Sequence, residues 1–111
     1  MRLKSVDVHV LVSLLDHPHH GYAIVKEIRN RSGGSLRLEP GNLYRVLRRL
    51  LDAGLITPSE APDPDGTDDD RRRYYVATPA GRATLRNEVA RMRAVVELAE
   101  ARLRQPLGRD A

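Results

Sequence analysis

The chain has 111 residues, a length that suits one domain with a modest hydrophobic core. It contains no cysteine, which excludes a disulfide framework, a cysteine-based zinc site and a thiol nucleophile. The formal net charge is +4 and arginine supplies 17 of the 19 basic residues, which indicates either contact with phosphate groups or the arginine bias of a GC-rich genome.

The first predicted element is an amphipathic helix that ends at a proline-containing turn. Ser5 is its expected N-cap, and Asp7 lies in the first turn, where the helix dipole favours an anion. Because Pro18 disfavours helical geometry in the residue before it, the helix is expected to end at Asp16 and residues 17–20 to form a turn. The apolar stripe of this helix consists of Val8, Leu11, Val12, Leu14 and Leu15.

A second helix is predicted over residues 21–31, and the small residues 32–34 stop it. Residues 35–38 then alternate polar and apolar side chains, which predicts a short strand. The apolar positions of the second helix are Tyr22, Ile24, Val25 and Ile28.

The third predicted helix, within residues 40–56, has two chemically different faces. Pro40 suits its first turn, and Gly54 suits the left-handed residue that ends it. A helix that buries leucines and directs three guanidinium groups outward is suited to a phosphate-lined groove. The apolar face carries Leu43, Val46, Leu47, Leu50 and Leu51. The opposite face carries Asn42, Arg45, Arg48, Arg49 and Asp52.

Two short β-prone segments, residues 55–57 and 74–76, follow this helix. The residues between them are rich in Pro, Gly and Asp, which marks a long loop. A strand, a loop and a strand after three helices predict a mainly α (α+β) fold, a winged helix-turn-helix in which this hairpin is the wing.

Thr78 as N-cap and Pro79 at the first helical position begin the last predicted helix, over residues 79–104. At 1.5 Å per residue this helix is roughly 39 Å long, longer than the body that residues 1–78 form. We therefore expect residues 79–111 to be a dimerisation helix with a short tail. The alternative is that the apolar residues of this helix pack against the rest of the same chain. The seam, spaced as in a coiled coil, is Leu85, Val89, Met92, Val96, Ala99 and Leu103.

The sequence also argues against several other classes of protein. No apolar run reaches the roughly 18 residues of a membrane span and the first residues do not resemble a signal peptide, so we expect a soluble cytoplasmic protein. The absence of a nucleophile elbow, a phosphate-binding glycine loop and an HExxH motif leads us to expect no enzymatic activity and no cofactor. The cluster of His17, His19 and His20 lacks the further ligands of a closed metal site. Residues 63–74 match a calcium loop poorly, because Tyr74 stands at the twelfth position.

Several ordered motifs resemble those of the PadR family of bacterial transcriptional regulators and together cover about residues 11–83. They are Leu14-Leu15, His20-Gly21-Tyr22, Gly41-Asn42-Leu43-Tyr44, Arg49-Leu50, Gly54-Leu55-Ile56, Arg72-Arg73-Tyr74-Tyr75 and Thr78-Pro79-Ala80-Gly81. The resemblance implies a homodimeric winged-helix repressor whose third helix enters the major groove of DNA and whose wing touches the backbone. It also implies that the terminal helix pairs with a second subunit, near which some members bind small aromatic compounds.

The chain departs from the family pattern in four places. Asn42 stands where a small hydroxyl residue is usual, and Arg45 stands where proline is common. The chain has no tryptophan or phenylalanine to stack on a planar compound, so an effector at the dimer interface is the weakest expectation and its identity is unknown. The predicted wing tip is acidic, with Asp63, Asp65, Asp68, Asp69 and Asp70.

The roles of the basic residues are open at this point. Asn42 suits adenine and Arg45 suits guanine, but which of them reads a base and which grips a phosphate is undecided. Tyr44 lies at the border of the two helix faces, so it either packs in the core or contacts a phosphate. The aspartates of the wing tip either pair with the neighbouring arginines or hold the wing off DNA. The candidate DNA-contacting residues are Asn42, Tyr44, Arg45, Arg48, Arg49, Arg71, Arg72 and Arg73.

The predicted function is sequence-specific regulation of transcription by a PadR-like repressor that binds a palindromic operator as a homodimer. Two half-sites about 34 Å apart would then face the two subunits. The alternative is a winged-helix module that binds protein and uses its arginines only to solvate the surface.

Overall fold

The computed structural model describes residues 1–60 and 73–107, which contain four helices and a three-stranded antiparallel sheet. The fold class predicted from the sequence, mainly α with a winged helix-turn-helix, is confirmed. In chain order the elements are α1 (Ser5–Ser13), β1 (His19–His20), α2 (Gly21–Arg31), α3 (Pro40–Asp52), β2 (Ile56–Ser59), β3 (Tyr74–Ala77) and α4 (Pro79–Leu103).

The sheet has β3 at its centre, with β1 on one side and β2 on the other. His20 lies opposite Tyr74 in the first pairing, and Ile56 lies opposite Ala77 in the second. The strand β1 was not predicted, because the sequence indicated only a turn at residues 17–20. Pro18 favours extended backbone in its neighbourhood, and the two histidines after it continue that conformation along the edge of β3.

The first helix differs from its prediction at both ends. Its N-cap is Lys4 rather than Ser5, and the Lys4 backbone N–H donates to the Asp7 carboxylate at 2.8 Å. The helix ends at Ser13, before Asp16, because the next carbonyls serve other elements. The Leu14 carbonyl accepts the backbone N–H of Ala77 in β3 at 3.0 Å, so the end of α1 is joined to the sheet.

The strand predicted at residues 35–38 is absent from the described residues, and this part of the α2–α3 connection has no regular structure. The Ser32 hydroxyl accepts the Leu36 backbone N–H at 3.1 Å, which ties the segment into a local turn. Leu36 and Leu38 both pack against the core, half-buried. The alternation in the sequence therefore reflects two leucines that contact the core from an irregular segment.

The core lies where α1, α2 and α3 meet the sheet, and the apolar face predicted for α3 is confirmed. Leu43, Val46, Leu47 and Leu50 are buried, and Leu51 packs against them. Two residues assigned to apolar stripes are exposed instead, Val12 in α1 and Tyr22 in α2. Both lie on the side of their helix away from its fully buried residues.

The last helix begins as predicted and leaves the body of the domain after about three turns. The Thr78 hydroxyl accepts the Gly81 N–H at 3.0 Å and donates to the Gly54 carbonyl at 2.6 Å. Gly81 is required at this crossing, because a Cβ there would lie 2.0 Å from the Leu55 carbonyl oxygen. Leu85, predicted as the first seam residue, is instead buried in the core of its own domain.

Within the described residues, no helix combines the length and the apolar character that crossing a membrane requires.

Candidate nucleic-acid interface

The outward face of α3 presents a set of polar side chains that the rest of the domain leaves accessible. Asn42, Arg45 and Arg48 are exposed, and Tyr44 is 67% exposed. Arg45 forms no ion pair or side-chain hydrogen bond with any residue that the structure describes. Its guanidinium is therefore available to a ligand that approaches the helix from outside.

Arg48 has a partner, although a weak one. Its Nε lies 3.8 Å from the Asp52 carboxylate one turn along, and both side chains are largely exposed. Exposed pairs at this spacing contribute about 0.3–0.5 kcal/mol, so a phosphate can replace the aspartate at small cost. Arg48 thus belongs with Arg45 among the cations of the outer face.

Arg49 was predicted to point outward with Arg45 and Arg48, but it points towards α1. Its guanidinium forms an ion pair and a hydrogen bond with Asp7 of α1, whose side chain is only 1% exposed. A buried carboxylate is costly unless a cation and hydrogen bonds compensate it, and Asp7 receives both from Arg49 and Lys4. The outer face of α3 therefore carries two arginines rather than three, and the third joins α3 to α1.

Tyr22 lies beside this outer face, although it was predicted as one of the apolar positions of α2. It is 70% exposed at the start of α2, and its ring stacks near the ring of His20, with centroids 6.4 Å apart. A signal for this position existed in the sequence. Ile24 and Ile28, one turn apart, define the buried side of α2, and Tyr22 lies about 200° from Ile24 around the helix.

Two clefts follow one another along the edge of α3 that faces α2, and both are bounded by Gly21, Tyr22 and Tyr44. The first, of about 340 Å³, lies towards the sheet and is also lined by Arg73. The second, of about 400 Å³, lies towards the α2–α3 connection and is also lined by Arg29 and Arg37. Tyr22 and Tyr44 therefore border both clefts, with Arg73 in the cleft nearer the sheet and Arg29 and Arg37 in the other.

The wing is described only in part. Arg73 is exposed just before β3, on the rim of the cleft nearer the sheet. Arg71 and Arg72 lie outside the described residues, so their contacts stay predictions. The same holds for the acidic tip, Asp63, Asp65, Asp68, Asp69 and Asp70.

Two histidines of the cluster at residues 17–20, His19 and His20, contact residues of α2. His20 Nδ1 accepts the Ala23 backbone N–H at 3.2 Å, so His20 is the N-cap of α2. His19 Nε2 lies 3.4 Å from Glu27, and burial lowers the pKa of His19, with a further lowering by His17 that Glu27 opposes. In residues 1–60 and 73–107, no three His, Asp or Glu side chains group as metal ligands would.

The part of α4 beyond Glu88 is exposed along its whole length. Glu88 is the last buried residue of α4, and its carboxylate lies 4.0 Å from Arg2 Nε. It accepts a hydrogen bond from Arg91 at 3.0 Å, which holds the pKa of its carboxyl below the usual range. A row of apolar side chains then faces solvent in this single chain. It includes the predicted seam residues Val89, Met92, Val96, Ala99 and Leu103, together with Val95 and Leu98.

Comparison with known proteins links this arrangement to a family. The model described as "Transcriptional regulator PadR-like family" matches residues 10–87. Transcriptional regulator Rv3488 of Mycobacterium tuberculosis is 41% identical over 95 residues, which are 86% of this chain and 79% of that protein. An uncharacterized transposon protein of Streptomyces fradiae is 40% identical over 92 residues, and the match spans 83% of this chain but 24% of that protein.

A solved structure shows the same fold at lower identity. The Bacillus subtilis PadR protein, determined in complex with operator DNA, superimposes with a TM-score of 0.67 and 20% identity. The superposition covers 99% of this chain and 54% of that one.

Proposed function

The chain belongs to the PadR-like family of transcriptional regulators, and from that membership we propose that it represses transcription by binding a palindromic operator as a homodimer. The observation that carries the proposal is Arg45, which is exposed on the outer face of α3 and has no partner among the described residues. The Asp7–Arg49 pair joins one edge of that helix to α1 and so fixes the orientation of α3. The operator complex of the Bacillus subtilis relative supports the same use of the shared fold.

The proposed contacts divide into base reading and backbone contact. The guanidinium of Arg45 fits the O6 and N7 acceptors of guanine, and the amide of Asn42 fits adenine, both in the major groove that accommodates an α-helix. Tyr44 lies at the edge of the helix that faces α2, and Arg48 follows it by one turn, so a phosphate would be the partner of both. Arg73 would contact the backbone from the wing.

The proposed dimer rests on the exposed part of α4. Contiguous apolar surface of this kind marks an interface in soluble proteins. The residues Val89, Met92, Val96, Ala99 and Leu103 recur at the spacing of a two-helix seam. Two copies joined there would present two α3 helices to half-sites about 34 Å apart, and occupation of the operator would exclude other proteins from the promoter.

Selection of bound fragments from a random DNA pool tests this proposal. The expected product is an inverted repeat whose halves are separated by about one turn of DNA. Titration of the selected DNA with salt should then give a log–log slope near −0.9 for each phosphate contact. Failure to enrich any sequence, together with a flat salt dependence, would favour a protein-binding module instead.

A further inference from the structure

We propose that Arg29 and Arg37 hold a backbone phosphate of one DNA strand in the cleft between α2 and the start of α3. The inference rests on the proposed DNA binding and deepens it, because it assigns a backbone contact to residues outside α3 and the wing. Four observations lead to it: the shape of the cleft, the lack of partners for its two arginines among the described residues, its nearness to the reading face, and the contrast with Arg31.

The cleft has a volume of about 400 Å³ and two walls. One wall is the face of α2 that carries Tyr22, Val25 and Arg29, which are spaced three and four residues apart and therefore lie on one side of that helix. The other wall is residues 37–40 with the first turn of α3. Arg29 and Arg37 thus face one space from two different segments.

Among the described residues that line this cleft, positive charges outnumber negative ones. Neither Arg29 nor Arg37 forms an ion pair or a side-chain hydrogen bond with any residue in the described part of the chain. Glu39 is the one carboxylate among the lining residues, so two guanidinium groups face a single opposite charge. A phosphate would complete the pairing, and guanidinium forks match its oxygens in two hydrogen bonds at once.

Arg31 shows that α2 can pair an arginine internally where the fold requires it. Its guanidinium donates to the Glu27 carboxylate at 3.0 Å and to the His9 carbonyl at 2.9 Å. These contacts lie on the side of α2 that faces α1. Arg29, two residues earlier on the side that faces the cleft, has no such partner among the described residues. The two arginines therefore differ because they lie on different sides of α2.

The cleft is continuous with the surface that would read the operator. Tyr44 lines it and precedes Arg45 in α3, about 100° around the helix axis. When the recognition helix of a helix-turn-helix lies in the major groove, the helix before it crosses the sugar–phosphate backbone. The edge of α3 that faces α2 would then meet one strand, with Tyr22 and Tyr44 hydroxyls as additional donors to its oxygens.

Salt dependence of binding to the selected operator tests this assignment. The double variant Arg29→Gln with Arg37→Gln should lower the magnitude of the log–log salt slope by about 0.9, the value for one phosphate contact, and each single variant should lower it by part of that amount. Arg37→Lys should retain the slope, since it keeps the charge. Arg93→Gln is the matched control: Arg93 is exposed on α4, outside the cleft, and its loss should leave the slope unchanged.

Base preference separates a phosphate contact from a base contact. Affinity for the selected operator and for single-base variants of it should fall by the same factor in Arg37→Gln, because a phosphate carries no sequence information. Substitution of individual phosphates by uncharged methylphosphonates should weaken binding by the native protein at one position. The same substitution should have little further effect on the double variant.

Three results would overturn the inference while the proposed function stands. They are an unchanged salt slope in both Gln variants, an equal fall in slope in Arg93→Gln, or a change in base preference in Arg37→Gln. If the native protein itself binds no DNA in a salt-dependent manner, the proposed function fails and this inference fails with it. Thermal unfolding of each variant verifies that the fold is intact before binding is compared.

Discussion

The carboxylate of Asp7 in α1 pairs with the guanidinium of Arg49 in α3, and this contact fixes the helix that carries the candidate reading residues. Asp7 is fully buried and also receives the Lys4 backbone N–H, so one side chain both begins α1 and anchors α3. Arg49 and Arg45 are one turn apart on the same helix. The anchor therefore sets the direction in which Arg45 points.

Loss of Arg49 should reduce the stability of the fold far more than loss of its neighbour. Arg49→Ala leaves a buried carboxylate without its cation, which should lower the free energy of unfolding by about 2–4 kcal/mol, since Arg49 remains partly in water. Arg48→Ala removes only an exposed pair with Asp52 and should cost about 0.5 kcal/mol or less. Urea denaturation of the two variants provides the comparison. Equal stabilities would contradict a structural role for the Asp7–Arg49 pair.

Loss of Arg45 should affect DNA binding and leave folding intact. Arg45→Ala should reduce affinity for the selected operator by about 1–3 kcal/mol and relax the preference at the base it contacts. Its unfolding midpoint should match that of the native protein, because Arg45 has no partner among the described residues. Fluorescence anisotropy with operator and single-base variants measures both effects. Undiminished affinity would mean that α3 does not read DNA through this residue.

The sequence predicted correctly the helix ends that depend on a few neighbouring residues. Pro40 and Gly54 bracket α3, and Thr78 with Pro79 begins α4, because capping and backbone geometry depend on a few neighbouring residues. Strand β1 escaped prediction since two residues carry no periodicity of their own, and they become a strand only by pairing with β3.

The partners of individual arginines were harder to predict from the sequence, because they lie on other elements of the fold. A helical wheel places Arg49 on the polar side of α3, and only the approach of α1 turns it inward to Asp7. Arg29 and Arg37 belong to different segments, so no spacing rule brings them to one cleft. The contacts of these arginines depend on how separate elements pack together, whereas sequence periodicity describes only one element at a time.

A charged residue among the exposed apolar residues of α4 should make the protein monomeric. Val96→Glu should dissociate the proposed dimer, because two carboxylates would be buried opposite each other at its interface. Ala94→Glu is the control, since residue 94 lies on the opposite side of the helix from the seam. Sedimentation equilibrium should give the mass of one chain for the first variant and of two chains for the second. If Val96→Glu still has the mass of two chains, these residues of α4 do not form the dimer interface.

Stability should fall as pH drops through the range in which His19 titrates. Burial lowers the pKa of His19 in the fold, and His17 lowers it further. The unfolded chain, with an ordinary histidine pKa near 6.5, therefore binds the proton more readily than the folded chain does. The contribution of His19 is complete above about pH 6.5 and is lost as pH falls through the lower pKa of the folded state, with a slope of at most about 1.4 kcal/mol per pH unit.

Urea denaturation between pH 5 and pH 7.5 and an NMR titration of the His19 ring measure this dependence. His19→Gln should flatten the pH profile of the unfolding free energy. His17→Gln removes a like charge whose ring centroid lies 4.3 Å from that of His19, so the titration midpoint of His19 should move upward without reaching that of an exposed histidine, because burial persists. A native midpoint at or above the ordinary value would show that Glu27 outweighs burial at this site, and the predicted loss of stability at low pH would then be absent.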